Sequence, residues 1–194
     1  MTHSILLSGV GGQGILLAAK IIGEAAVASG YEVCSNEIHG MAQRGGCVTA
    51  QVRFGVQIHS PLILEGTADV LAALEHIEAL RWAHVLKPQG LAIVSRQTIL
   101  PVTVSSGKAT YPADVAARLR KVFPRLLYVD CVSKADAMGD ARFANMIVVG
   151  MIASALPLET SAWHEAIRLH VPEKLFPQNI EAFAFGRALK EGTH

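Results

Sequence analysis

The segment Gly9-Val10-Gly11-Gly12-Gln13-Gly14 constrains this chain more than any other. It follows Ile5-Leu6-Leu7-Ser8, a short buried strand by composition. It opens Ile15 to Ser29, where apolar residues recur at helical spacing and Ala18, Ala19, Ala25 and Ala26 are good helix formers. Gly30 supplies the stop, and Tyr31-Glu32-Val33-Cys34-Ser35 is the next strand candidate. Strand, helix and strand within about thirty residues make a βαβ unit, expected to cross over right-handed. Glycine permits positive φ in the tight turn and lets another backbone or a ligand come close. The amides at the helix start favour an anion such as a phosphate. A turn that merely closes the strand on its helix fits the pattern equally well. A dinucleotide site would also want an acid on the second strand to hold the ribose. Glu32 comes too early for that, and Glu37, 23 residues after Gly14, fits by count but sits among other polar residues.

Asn36 to Gly46 has no periodicity and reads as a loop. Cys47 to Phe54 alternates, with Val48, Ala50 and Val52 on one side and Thr49, Gln51 and Arg53 on the other, as a half-buried strand does. Phe54-Gly55 followed by Val56 to His59 suggests a hairpin, which makes the sheet mixed. Ala68 to Leu74 is a further strand and Glu75 to Leu86 a helix, stopped by Lys87-Pro88-Gln89-Gly90 before a strand over Leu91 to Ser95. Pro112 to Phe123 opens with proline in its first turn and reads as a helix, and Leu126 to Asp130 is a strand. Helices are expected at Ala141 to Leu156, Trp163 to His170 and Asn179 to Lys190. No repeat or linker breaks the chain. The expectation is one three-layer α/β domain over residues 1–194, with a mostly parallel mixed sheet, a β-hairpin and helices on both faces.

Of the 194 residues 51% are hydrophobic and 17% charged, so a large core is assured and few charges remain to solvate the surface. A fully buried parallel sheet accounts for this, as does a subunit whose apolar surface a partner covers. The net charge is +1 with Lys and Arg scattered singly, which argues against a nucleic-acid partner. The N-terminus lacks the basic start of a signal peptide, and the apolar stretch Phe143 to Leu156 is too short for a bilayer, which takes roughly 20 residues. Cys34, Cys47 and Cys131 are odd in number and widely spaced, with no disulfide framework or metal spacing. A soluble cytoplasmic protein without a membrane partner is expected.

Glu37-Ile38-His39-Gly40-Met41-Ala42-Gln43-Arg44-Gly45-Gly46 gathers an acid, an imidazole, an amide and a guanidinium among three glycines at the end of the second strand. Open α/β sheets present ligands at that edge. Arg44 offers a planar fork for a carboxylate or phosphate, and Gly45 and Gly46 leave bare backbone beside it.

Together with Gly9-Val10-Gly11-Gly12-Gln13-Gly14, this segment resembles the gamma-type module of the 2-oxoacid:ferredoxin oxidoreductase family, in particular its indolepyruvate type. Val52-Arg53-Phe54-Gly55, Ser60-Pro61-Leu62-Ile63, Ala68-Asp69-Val70-Leu71, Leu74-Glu75 with Glu78-Ala79, and Asn179-Ile180-Glu181-Ala182-Phe183 with Gly186 extend the resemblance over essentially the whole chain. It implies an accessory subunit of an enzyme that decarboxylates a 2-oxoacid, an arylpyruvate such as indolepyruvate. That enzyme works on thiamine diphosphate with magnesium, reduces ferredoxin through iron–sulfur clusters, and forms acyl-coenzyme A and CO2. This chain has no Gly-Asp-Gly of a thiamine site, Gly139-Asp140-Ala141 failing at the third position, and no clustered cysteines. By the resemblance, then, no cofactor is bound by this chain alone; a large partner subunit carries thiamine, magnesium and clusters and meets ferredoxin. Gly9, Gly11, Gly12, Gln13, Gly14, Glu37, Gln43, Arg44, Gly45 and Gly46 are the expected cofactor-binding positions, the glycine turn suiting the phosphates of coenzyme A. His39 and Arg44 are candidates for a chemical role. The alternative is a stand-alone NAD(P)- or FAD-binding oxidoreductase using the same turn.

The eight histidines form no metal-binding pair at short helical spacing; His76 and His84 read as solvated residues of one helix. No Ser-His-Asp order or nucleophile elbow is present, and Cys47, opening a strand, reads as a small buried thiol. The small residues Gly150, Ala153, Ser154 and Ala155 mark either a core helix or a face that docks a partner helix.

Overall fold

A computed structural model describes residues 2–40 and 46–191. Six strands form one mixed sheet in the order β2-β3-β1-β4-β5-β6. Strand β1 (Thr2–Val10) pairs antiparallel with β3 (Cys47–Gly55) and parallel with β4 (Ala68–Ala73). Strand β2 (Glu32–His39) closes one edge antiparallel to β3, and β5 (Leu86–Ser95) and β6 (Leu126–Val129) extend the other edge in parallel. The sheet is mostly parallel, as expected.

Strand alternation sends the apolar residues to two cores. Ile5, Leu7, Val70, Ala72, Ile93 and Leu127 face α1 (Ile15–Ala28), α5 (Cys131–Ala137), α6 (Ala144–Ser154), α7 (Thr160–His170) and α8 (Phe176–Ala188). Leu6, Leu71, Ala92, Val94 and Tyr128 face α2 (His76–Arg81) and α4 (Val115–Val122). A short helix, α3 (Val102–Ser105), lies beyond the end of β5. Helix α6 is apolar all round because it is buried all round, with Met146 to Met151 all inaccessible or nearly so. At Gly150 it receives α8 of the same chain, while Ser154 and Ala155 stay exposed. A Cβ on Gly150 would collide with the Phe183 carbonyl, and one on Gly186 with the Ile147 carbonyl.

Several boundaries correct the sequence reading. The hairpin is β2–β3, not a turn at Phe54-Gly55 into Val56 to His59. Residues 56–65 leave the sheet and cross the second face of β2 and β3. Side chains there replace ladder partners: Glu32 takes the Ile58 amide at 3.0 Å, Gln51 takes the Ile63 amide at 2.7 Å, and Arg53 donates to the carbonyls of Ser60 and Leu62. Asn36 to His39 belong to β2, because an edge strand tolerates polar side chains where its ladder to β3 is intact. Lys87 to Gly90 belong to β5 instead of ending a helix; Gly90 leaves room for the Leu86 side chain, which an added Cβ would meet at 2.5 Å. The helix expected at Glu75 to Leu86 ends at Arg81, with a 3-10 turn over Ala83–Val85. Cys131–Ala137 is helical without periodicity long enough to signal it; Asp130 caps it by accepting from the Ser133 amide at 3.0 Å.

Candidate active-site crevice

Helix α1 leaves β1 toward one face of the sheet, and α2 leaves β4 toward the other. The neighbouring carboxyl ends of β1 and β4 are therefore a topological switch point, where a crevice must open. A cavity of about 380 Å³ lies there. Gly12, Gln13 and Gly14 form one wall, Leu74, Ser95 and Gln97 the floor, and Arg142 and Asn145, just before and within α6, the opposite wall.

The glycine turn is built into this crevice by a side chain. Gln13 Oε1 accepts from the Val10 amide at 2.7 Å, and its Nε2 donates to the Leu74 carbonyl at 2.8 Å and to Gln97 Oε1 at 2.7 Å. One amide thus ties the turn to the ends of β4 and β5. Gly9 is required beneath it, since a Cβ there would come within 2.6 Å of Gln13 Oε1 and 2.9 Å of Ile15 Cδ1. Gly14 is required twice over: it caps α1 in the left-handed region at φ 80°, and the Asn145 side chain lies against its bare Cα. No side chain caps α1, so its first turn presents the positive end of a 14-residue helix toward the cavity.

The two glycine-rich segments meet. The Gly11 amide donates to the Gly46 carbonyl at 2.9 Å, and the Gly40 amide to the Cys47 carbonyl at 3.0 Å, across the mouth of the β2–β3 hairpin. Met41, Ala42, Gln43, Arg44 and Gly45 lie outside the described residues, so three of the expected site positions, Gln43, Arg44 and Gly45, do as well. His39 ends β2 opposite Val48, and Glu37 is exposed on β2 opposite Ala50; both belong to the strand, not to a loop.

Beside the crevice is a buried polar cluster that the sequence reading missed. Glu75, 2% exposed, caps α2 by accepting from the amides of Ile77 at 2.7 Å and Glu78 at 3.1 Å, and takes the Tyr111 hydroxyl at 2.5 Å. Burial and that carboxylate hold the Tyr111 phenol far above its usual range. His76 is not solvated: it is 9% exposed, its ring stacks with both Tyr111 and Tyr128, and its nitrogens face the Tyr128 hydroxyl and Thr98 Oγ1, each at 3.0 Å. Burial lowers its pKa, leaving it neutral, with Glu75 opposing. Glu78, 6% exposed, accepts from the Cys47 thiol at 3.0 Å and from Arg81 at 3.2 Å. Burial and the Glu78 carboxylate push the Cys47 thiol up to about 11. The Leu74-Glu75 and Glu78-Ala79 pairs were the available signal, since two acids at the start of a short helix point to a cap and a buried partner.

The arrangement binds and orients more readily than it reacts. Cys131, wholly buried, is pushed up to about 12 by burial, so like Cys47 it stays a thiol near neutral pH. Cys34, Cys47 and Cys131 lie on β2, β3 and α5, too dispersed for a cluster. Among the described residues no group of three His, Cys, Asp or Glu could hold a metal ion, and no helix is long and apolar enough to cross a membrane. Asp140, the residue nearest to a thiamine-type motif, grips Arg142 instead, which holds its carboxyl below the usual range.

The indolepyruvate oxidoreductase subunit IorB of Pyrococcus horikoshii is 40% identical over 97% of this chain and 96% of its own length. The IorB subunit of Archaeoglobus fulgidus is 40% identical over 96% of this chain and 94% of its own. Among solved structures, the pyruvate oxidoreductase subunit PORC of Thermotoga maritima superposes with a TM-score of 0.73 at 18% identity, covering 99% of both chains. The 2-oxoglutarate:ferredoxin oxidoreductase of Magnetococcus marinus, solved with 2-oxoglutarate, coenzyme A and succinyl-CoA, gives 0.73 at 20% identity. There 98% of this chain matches 32% of a longer one, so the same fold also occurs inside a larger polypeptide. The family model for pyruvate ferredoxin/flavodoxin oxidoreductase matches residues 4–189, and the chain belongs to that family.

Proposed function

We propose that this chain is the accessory, gamma-type subunit of a 2-oxoacid:ferredoxin oxidoreductase that converts an arylpyruvate such as indolepyruvate to acyl-coenzyme A and CO2. The observation that carries the reading is the near full-length match at 40% identity to subunits of indolepyruvate oxidoreductases. The whole of residues 1–194 acts as one domain of that complex, in the cytoplasm. A large partner subunit holds thiamine diphosphate, magnesium and iron–sulfur clusters and passes electrons to ferredoxin. Thiamine diphosphate supplies the carbanion chemistry of decarboxylation.

This chain contributes the crevice. The uncapped start of α1, held by Gln13, favours an anionic group, and a cavity of about 380 Å³ is within the usual size of a small-molecule site. The phosphates of coenzyme A meet that description, with Gly11, Gly12, Gln13 and Gly14 along one wall and Gly46 at the mouth. Glu37 and His39 lie on β2 beside that mouth, and they, with Gln43, Arg44 and Gly45, are assigned the same role of meeting the partner's active site.

A stand-alone dinucleotide enzyme is disfavoured by topology. Strand β3 lies between β1 and β2. An acid at the end of β2 is thus two strand spacings, about 10 Å, from β1, too far for a ribose whose diphosphate sits on the glycine turn.

Co-production with a large iron–sulfur, thiamine-dependent chain from the same source tests the reading. Arylpyruvate-dependent, coenzyme A-dependent reduction of ferredoxin is expected from the complex and not from either chain alone. Turnover by this chain without a partner, or no stable complex with such a chain, would overturn it.

A further inference from the structure

The Glu75 to Glu78 turn is not accounted for by a ligand in the crevice. Glu78 lies on α2, which α4 and the second face of the sheet enclose, yet its carboxylate reaches the first residue of β3. The Cys47 thiol donates to Glu78 Oε2 at 3.0 Å, and Arg81 Nε donates to Oε1 at 3.2 Å. Cys47 follows Gly46, whose carbonyl takes the Gly11 amide at 2.9 Å, and the Cys47 carbonyl takes the Gly40 amide at 3.0 Å. The other end of α2 is fixed as well, since Glu75 caps it and the His76 amide donates to the Gln97 carbonyl at 3.2 Å. Gln97 in turn holds Gln13. A closed circuit of hydrogen bonds therefore runs from the glycine turn through Gln97 and α2 to Glu78, Cys47 and Gly46, and back to Gly11.

We propose that Glu78 is a positioning residue: by holding Cys47 it sets the hairpin mouth against the glycine turn, so that the two walls keep one spacing. A carboxylate in this role is stronger than a neutral acceptor, because a hydrogen bond to a charged group in a partly buried setting resists opening. The thiol is a suitable donor, small enough for the strand start and kept protonated by burial and by the carboxylate it meets. The consequence for turnover rests on the function proposed above; the mechanical coupling does not.

Two measurements on the full chain separate them. Amide hydrogen exchange of the chain alone is compared for the natural sequence, Cys47→Ala, Cys47→Ser and Glu78→Gln. Cys47→Ala is expected to speed exchange at the Gly11 and Gly40 amides about tenfold, with α6 and α8 unchanged. Cys47→Ser, which restores a donor, is expected to return exchange toward the natural rate, and Glu78→Gln to fall between. Unchanged exchange at Gly11 and Gly40 in both Cys47→Ala and Glu78→Gln overturns the coupling, as does acceleration spread evenly over α6 and α8. In the assembled enzyme, Cys47→Ala should lower kcat about tenfold while KM for ferredoxin stays put, with rescue by Cys47→Ser. Faster exchange with undiminished kcat would overturn the positioning role. An assembly that is inactive with the natural sequence would count against the proposed function and leave the exchange result standing.

Discussion

Gly150 on α6 lies directly against the carbonyl of Phe183 on α8, and the Arg187 amide would be 2.9 Å from a Cβ placed there. Gly186 meets Ile147 of α6 in the same way, so the two backbones cross with no side chain between them. The cross-over lies in the core beside Trp163 and Phe183, whose rings are 5.9 Å apart. Neither helix can retreat without opening a void.

Gly150→Ala and Gly186→Ala are therefore each expected to destabilise the fold by about 1–3 kcal/mol, although alanine is the better helix former. Gly23→Ala is expected to do the opposite. It lies inside α1, and its Cβ would meet nothing nearer than Val33 Cγ1 at 3.6 Å, so propensity decides and about 0.5–1 kcal/mol is gained. Urea midpoints at unchanged slope check all three. A neutral Gly150→Ala would contradict the close crossing.

These glycines show what the sequence can and cannot reveal. Small residues on an apolar helix announced a close approach, but not whether the approaching helix belonged to this chain. The βαβ start was legible because Ile5 to Gly30 combines a strand, a turn and helical periodicity with a stop. The carboxyl edge was legible in part: the glycine turn stood out, whereas Glu75, His76, Glu78, Gln97 and Asn145 did not. Their importance depends on burial, and burial at the end of a strand is set by which loop folds over it. His76 illustrates this, because a histidine one position into a short helix has no periodicity to reveal two tyrosines from distant segments stacking on it.

Gln13 tests whether the turn is held from the inside. Gln13→Ala removes the partners of the Val10 amide and the Leu74 carbonyl, at an expected cost of about 1–3 kcal/mol. Gln13→Glu should cost more, because a carboxylate oxygen would replace the donor and face the Leu74 carbonyl and Gln97 Oε1. Equilibrium unfolding of the two variants gives the order. A Glu variant as stable as the Ala variant would mean that Gln97 reorients freely.

Thiol chemistry reports on the Glu78 contact independently of the complex. With its pKa pushed up to about 11, Cys47 is about one part in a thousand thiolate at pH 8, so its alkylation by iodoacetamide should be slow and should rise with pH well beyond 9. Glu78→Gln removes a negative charge at hydrogen-bonding distance and should speed Cys47 alkylation about tenfold at pH 8. Cys131, fully buried and pushed up to about 12, should react only on unfolding in either protein. Peptide mapping after timed labelling distinguishes the sites. Equal Cys47 rates with and without the carboxylate would show that burial alone protects the thiol.

His76 gives the stability a pH dependence whose sign is fixed by its surroundings. Burial lowers its folded-state pKa below the ordinary histidine value of 6.5, with Glu75 pulling the other way, and His3 is lowered likewise by burial against Asp69. Between the lowered value and 6.5 the unfolded chain holds more protons than the folded one, so stability rises with pH. The contribution is complete above about pH 7 and is drained as pH falls through 6.5 toward the folded-state value. The carboxylates of Asp130 and Glu191, held below their usual range by Ser133 and Arg125 respectively, titrate below this window. Unfolding free energy measured from about pH 5 to 7.5 should therefore fall toward acid, and His76→Gln should flatten the curve while also lowering it throughout through lost stacking on Tyr111 and Tyr128. Slope and offset are separate readings: an unchanged slope in His76→Gln would assign the acid sensitivity to His3 and place the His76 ring in a wetter setting than its 9% exposure indicates.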